Sequence, residues 1–163
     1  MEKPKISVAI IAQDEADRIG NLLKSLSFAD EIVVVDSGST DGTQDICQKA
    51  GARVISNAWP GYVAQKQFAL EAASHEWILC LDADEEIPAE LATEMCQAVS
   101  DAGTDICGFS MPRLSRYLGC WIRHGGWYPD RKVRLVRRGR GKWQGVNPHD
   151  KLAVMGGVKH LTN

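Results

Sequence analysis

The sequence predicts an α/β fold, a mostly parallel sheet with helices on both faces. Three observations predict it. Short continuous apolar runs, rich in β-branched residues, recur at residues 6–12, 32–35, 54–55, 77–81 and 106–111. Between them lie segments whose apolar residues repeat at helical spacing. Runs apolar on both sides are strands buried on both faces, and connections of helix length between them are what parallel pairing needs.

The first strand, 6–12, is bounded by polar residues. Ala16, Ile19, Leu22, Leu23 and Leu26 then mark a helix, with Asp14 as its N-cap. The second strand, 32–35, ends at Asp36. A helix over 43–50 follows, capped by Ser39, Thr40 or Asp41 and stopped at Gly51, which suits a left-handed C-cap. Val54-Ile55 is a short third strand, 62–73 a helix, and 77–81 a fourth strand ending at Asp82. Pro88 fits the first turn of a helix that runs to Ser100, and 106–111 is the fifth strand. Beyond Pro112 glycines punctuate a basic, tryptophan-rich region, and 131–136 alternates charged and apolar residues as a half-exposed strand does. No internal repeat or linker is visible. After Gly156-Gly157 no closing helix is expected, so the chain reads as one that can belong to a longer protein.

A chain of 163 residues, 44% apolar and 25% charged, fits one ordinary globular domain with a single core. A net charge of −2 gives no argument for nucleic acid, and no such partner is expected. Locally the balance differs. From Arg113 to Lys142 the cations include Arg116, Arg123, Arg131, Lys132, Arg134, Arg137, Arg138 and Arg140, against Asp130 alone. Such a stretch is either a site for an anionic partner or a solvated basic rim. The five cysteines form no CxxC pair, so buried free thiols of a reducing compartment are expected rather than a zinc site. No signal peptide or membrane-spanning run is visible. The expectation is a cytoplasmic protein whose contact with the inner membrane, if any, is peripheral and from the cytoplasmic face.

In open α/β sheets ligands bind beyond the carboxyl ends of the strands. Acids stand at three such ends: Asp14 and Glu15, Asp36, and Asp82 with Asp84. Clustered carboxylates repel one another unless a cation or a set of donors offsets the charge, so three acidic ends at one edge point to a ligand site. Asp82-Ala83-Asp84 can present two carboxylates to one Mg²⁺ or Mn²⁺ ion, which in turn can bridge a diphosphate. The plainer alternative is that Asp84-Glu85-Glu86 only favour the N-terminus of the following helix. The turn from Asp36 to Thr43 is built of small residues and carries neither GxGxxG nor GxxxxGK[ST], which disfavours a nicotinamide cofactor and a P-loop. An acid at the strand end before such a turn suits hydrogen bonding to a base or ribose.

The series Ile10-Ile11-Ala12-Gln13-Asp14-Glu15, Val33-Val34-Val35-Asp36-Ser37-Gly38-Ser39-Thr40-Asp41-Gly42-Thr43 and Leu81-Asp82-Ala83-Asp84 resembles, in order and spacing, family-two glycosyltransferases of the Rossmann-like GT-A fold. Gly126-Trp127-Tyr128-Pro129-Asp130-Arg131 with Arg134-Leu135, then Trp143, Val146 and His149-Asp150, resemble a bacterial subgroup. That subgroup includes β-1,4-glucosyltransferases of the lipopolysaccharide inner core. Two departures stand out: Asp14 where Asn is usual, and His149-Asp150 where His-Glu is usual.

The resemblance implies a nucleotide-sugar-binding region over 1–112 and an acceptor-side region of the same domain over 113–163. Asp36 would contact the uracil or ribose of a UDP-sugar, and Glu15 would lie on the nucleotide side. Lys66 would contact nucleotide or diphosphate, Asp82 would sit by the ribose or metal, and Asp84 would bind Mg²⁺ or Mn²⁺. His149 is a second candidate metal ligand, unless it is simply a lone histidine. The implied reaction is inverting, metal-dependent transfer of a sugar, glucose foremost, to a lipid-linked anionic oligosaccharide of the lipopolysaccharide inner core. The metal ion and Lys66 would stabilise the leaving diphosphate. A carboxylate must take the acceptor's proton, worth about 10²–10⁴-fold, and the candidates are Asp130 and Asp150. Asp130 has a competing reading as a salt-bridge partner of Arg131 or Arg134. Trp121, Trp127, Tyr128 and Trp143 among arginines suit an acceptor with sugar rings and phosphates, or else are core tryptophans with a solvated rim. Two other functions stay open: transfer to a polyprenyl phosphate, which needs no base, and nucleotide binding without turnover.

Overall fold

The computed structural model describes residues 3–118, 120–123, 128–147 and 149–163, the side chains of 116 and 117 excepted. In chain order the elements are β1 (Ile6–Ala12), α1 (Ile19–Ser25), β2 (Glu31–Asp36), α2 (Thr43–Lys49), β3 (Arg53–Ser56), α3 (Tyr62–Ala72), β4 (Trp77–Asp82) and α4 (Ala89–Ser100). There follow β5 (Ile106–Arg113), β6 (Ser115–Tyr117), β7 (Cys120–Ile122), β8 (Asp130–Arg137), β9 (Gly141–Gln144), β10 (Lys151–Val154) and β11 (Gly157–His160). The main sheet has the order β11-β5-β8-β4-β1-β2-β3. Its strands run parallel except β8, which is antiparallel to both of its neighbours.

The period of two along each strand sorts the core into two layers. Ile6, Val8 and Ile10 of β1 pack with Trp77, Leu79 and Leu81 of β4 against α1, α2 and α4. Ala9 of β1 packs with Ile78 and Cys80 of β4 against Ala69 and Leu70 of α3 and against Trp143 and Leu152 of the β9–β10 ribbon. Both sides of the central strands are therefore covered, which is why the runs read as continuously apolar.

Three local expectations change. Asp14 does not cap a helix. It sits at φ 52, a turn follows in which Arg18 N and Ile19 N donate to the Glu15 carbonyl, and α1 begins only at Ile19. α2 is preceded by Gly42 at φ 96, while Asp41 accepts from Thr43 N and Thr43 Oγ1. The 131–136 strand lies in the middle of the sheet, and its exposure does not alternate: Arg131 and Lys132 are exposed, Val133 is half-buried, and Arg134, Leu135 and Val136 are buried. Gly51 has the expected left-handed φ of 83.

The course of β8 also divides the basic stretch. Running antiparallel, it starts at the carboxyl edge of the parallel strands and ends at the opposite edge, where Arg137 pairs with Trp77. There Arg137 binds Glu76 and the carbonyls of Gly103 and Ile106, and Arg138 donates to the Ser74 carbonyl. The cations thus form two separate groups. The five cysteines are free, with Cys47, Cys80 and Cys107 buried. Among the described residues no helix is long and apolar enough to cross a membrane.

Candidate functional site

Register places the acids. Asp36 lies beside Ala12 and Asp82 beside Ile11, so the two carboxylates flank β1 at the carboxyl edge of the sheet. Two strand spacings, about 10 Å, separate their backbones. Asp84 stands two residues beyond Asp82.

Asp36 is fully buried. Its carboxylate accepts from Gly38 N and Ser39 N at 2.9 Å each, from Gln44 Nε2 at 2.6 Å, and from Ser39 Oγ. A buried charge needs such donors, and here they fold the turn that opens α2. The β1 loop is laced onto this turn. Asp14 N donates to Ser39 Oγ and Thr40 N to Asp14 Oδ1, each at 2.8 Å, while Glu15 N donates to Thr43 Oγ1 at 2.8 Å and Ala16 N to Asp41 Oδ2 at 2.9 Å. The run of small polar residues is explained by this interlock. Hydrogen bonding from Thr43 and Ala16 N holds the Asp41 carboxyl below the usual carboxylate range. Glu15 Oε2 is buried without a hydrogen-bond partner among the described residues, and its ion-pair partner Arg18 stands 3.8 Å away. A buried oxygen so placed is open to a ligand's donor.

A chain of alternating charges lies beneath the same edge. Gln65, fully buried, donates to Ser37 Oγ at 2.9 Å and accepts from Asn57 Nδ2 at 2.6 Å, which seats the first turns of α3. Lys66 follows it. Its Nζ lies 3.0 Å from Asp82 Oδ1, 2.8 Å from Asp150 Oδ2 and 4.8 Å from the centre of the Trp143 ring. Arg134 Nη2 lies 3.2 Å from Asp82 Oδ2 and 2.7 Å from Glu85 Oε1, and Glu85 Oε2 accepts from Asp82 N at 2.9 Å. The order is Asp150, Lys66, Asp82, Arg134, Glu85. Burial raises the Asp82 carboxyl, but Arg134 and Lys66 outweigh it and hold the group below its ordinary value. Burial dominates at Glu85, whose carboxyl is raised despite Arg134. Burial also pushes the Cys80 thiol up to about 12, which rules it out as a ready nucleophile.

Arg134 and Glu85 were not among the expected site residues. One sign of Arg134 was present: next to Leu135 and Val136 it stands at the apolar end of its strand, and an arginine buried there is costly unless it is paired. Arg134 does not pair with Asp130. Asp130 binds Arg113 at 2.6 Å and Lys132 at 3.2 Å, a salt bridge with other partners than expected. Burial raises its carboxyl, but hydrogen bonds from Lys132 and Arg113 hold it below the usual range.

Asp84 is exposed, and its carboxylate has no hydrogen bond or ion pair among the described residues. His149 is exposed too, with its backbone N donating to the Val146 carbonyl at 2.6 Å. Among the described residues no three His, Cys, Asp or Glu side chains gather to hold a metal. An unpaired hard oxygen donor such as Asp84 nevertheless fits Mg²⁺ or Mn²⁺, which complete their shells with water and phosphate oxygens. Of the aromatic residues, Trp143 is 5% exposed and belongs to the core, Trp121 is 59% exposed, and Trp127 lies outside the described residues.

A family model described as glycosyl transferase family 2 matches residues 7–154. The lipopolysaccharide core biosynthesis glycosyltransferase LpsC of Rhizobium meliloti (strain 1021) is 37% identical over 162 residues, covering 96% of this chain and 60% of that protein. An uncharacterized glycosyltransferase of Rickettsia felis is 48% identical over 92 residues, 56% of this chain and 32% of that one. The chain thus spans at most 60% of the length of these relatives. Among solved structures, S. aureus TarS 1–349 matches with a TM-score of 0.64 at 21% identity, over 82% of this chain and 47% of that one. Glucosyl-3-phosphoglycerate synthase from Mycobacterium tuberculosis, in complex with Mn²⁺, UDP and glucosyl-3-phosphoglycerate, matches with a TM-score of 0.56 at 28% identity, over 66% of this chain and 43% of that one.

Proposed function

The chain belongs to glycosyl transferase family 2 and has the GT-A fold, and from that premise we propose that it moves a sugar, glucose foremost, from a UDP-sugar to a lipopolysaccharide inner-core acceptor. The observation that carries the reading is an exposed Asp84, unpartnered among the described residues, two positions beyond the Lys66–Asp82 ion pair at one sheet edge. Breaking the bond between the anomeric carbon and the diphosphate places negative charge on the leaving group. When bound, a divalent ion held by Asp84, with His149 as a second candidate ligand, would neutralise part of that charge. Lys66 stands beside Asp82 to take up more of it. Glu15 offers a buried acceptor oxygen to the nucleotide, and Asp36 shapes the turn that would face the base or ribose. Inversion needs attack from the opposite face, with Asp130 or Asp150 receiving the acceptor's proton. Support for the donor comes from the glucosyl-3-phosphoglycerate synthase complex, which holds UDP and Mn²⁺, and support for the acceptor from the kinship with LpsC. Location at the cytoplasmic face of the inner membrane, held there peripherally by a lipid-linked acceptor, belongs to the same proposal.

A panel of nucleotide sugars tested by thermal shift, with and without Mn²⁺, checks the donor class. UDP-glucose alone should raise the melting temperature, and only with the metal. Hydrolysis of UDP-glucose should fall at least about hundredfold in Asp84→Ala; a variant that keeps its rate removes Asp84 from the site.

One observation favours a second acceptor. Both candidate bases are ion-paired, Asp130 with Arg113 and Lys132, Asp150 with Lys66. A polyprenyl phosphate is already an anion and needs no base. Under that reading neither Asp130→Asn nor Asp150→Asn lowers kcat by the roughly hundredfold expected of a lost base.

A further inference from the structure

We propose that Asp150 is a built-in competitor of the donor's diphosphate for Lys66, so that donor binding and release of the Asp150 carboxylate are one event. The inference rests on the nucleotide-sugar reading above. Lys66 is only 11% exposed and is enclosed by Asp82 at 3.0 Å, Asp150 at 2.8 Å and the Trp143 ring at 4.8 Å. In this enclosure a phosphate oxygen takes up the full charge of the ammonium when it takes the place of one of the two carboxylates.

The two are not held alike. Asp82 is fixed from several sides: β4 pairs with β1 through it, its second oxygen meets Arg134, and its backbone N–H is held by Glu85. The Asp150 carboxylate has Lys66 as its single partner among the described residues. Asp150 also stands just outside β10; ahead of it in the chain Gly145 has φ 98 and His149 N donates to the Val146 carbonyl. The ribbon beneath it is anchored independently. Trp143 and Leu152 are 5% exposed in the core, and Trp143 N donates to Gln67 Oε1 at 2.9 Å. Asp150 is therefore the partner that yields, and it can yield without unseating β9 or β10. A diphosphate oxygen that takes its place frees the Asp150 carboxylate. The carboxylate is then free only once the donor has bound.

The test is UDP affinity, measured calorimetrically in the presence of Mn²⁺, for the wild type, Asp150→Asn, Lys66→Met and the double variant. Removing the competing charge should tighten UDP about three- to tenfold in Asp150→Asn, an ion pair's worth of affinity. Lys66→Met should weaken it, and in that background Asp150→Asn should have no effect. A carboxylate that only braces the turn would leave affinity unchanged or lower it. Either result in a folded Asp150→Asn, or a gain that persists in Lys66→Met, overturns the proposal while leaving the donor reading standing. Wild type that binds no nucleoside diphosphate ends both. Asp150→Ser carries the same comparison where Asp150→Asn does not fold.

Discussion

At the scale of single residues, the site depends on charges that stabilise one another only as a set. Arg134 is buried against Asp82 and Glu85, burial lowers its basicity and those two carboxylates more than restore it. Arg134→Met leaves the half-buried Glu85 without its cation and Asp82 with Lys66 alone, and should cost about 1–3 kcal/mol in urea unfolding. Adding Glu85→Gln should return part of that loss, because one stranded charge is then gone. A loss under about 1 kcal/mol would show the chain to be dispensable. In the sequence Arg134 stands in a run that alternates charged and apolar residues, and Arg131 or Arg134 was the competing salt-bridge partner for Asp130. The side chain goes instead to Asp82 and Glu85, while Asp130, four positions and about 13 Å away along β8, binds Arg113 and Lys132.

At the scale of elements, Glu31 at the start of β2 ties β1, β3 and the turn after α3 together. It accepts from Ser7 Oγ at 2.6 Å, from Ser74 N at 2.8 Å and from Arg53 Nη2 at 2.9 Å. Burial raises this carboxyl, but the Ser7, Ser74 and Arg53 donors win and bring it from 4.5 to about 2. A folded-state value below the unfolded one means the unfolded chain binds the proton first as pH falls. The contribution to stability is therefore full above about pH 4.5 and is lost on descent toward about pH 2. Melting curves between pH 6 and 3 should show a smaller acid loss in Glu31→Gln than in the wild type; parallel curves would contradict this. The turn between β10 and β11 has its own requirement. Gly156 has φ 134, and a Cβ there would meet the Cys107 side chain, with Cys107 Cβ at 2.8 Å. Gly156→Ala should cost about 1–3 kcal/mol, measured by chemical denaturation, through strain and overpacking together.

At the scale of the whole molecule, the antiparallel course of β8 decides where the charge goes. Lys132 and Arg113 lie at the site edge around Asp130, whereas Arg137 and Arg138 serve the opposite edge and Arg140 lies in the turn beyond β8. Transfer to an anionic acceptor should fall severalfold in Lys132→Gln and stay within about twofold in Arg140→Gln, read as kcat/KM for the acceptor. Equal losses from both ends would mean that net charge, not the site edge, recruits the acceptor. The strands from 6–12 to 106–111 and their helices were legible because burial on two faces leaves continuous apolar runs, and the edge acids because strand ends are marked by the residues that stop the runs. What only the tertiary structure decided was partnership. β8 sits between β4 and β5, Asp36 turns inward, and Lys66 is shared by Asp82 and Asp150, 84 positions away from it. Local pattern encodes which face a residue buries, because that depends on its neighbours along the chain; which charge it meets depends on strand order, and strand order is fixed by contacts between segments far apart in sequence.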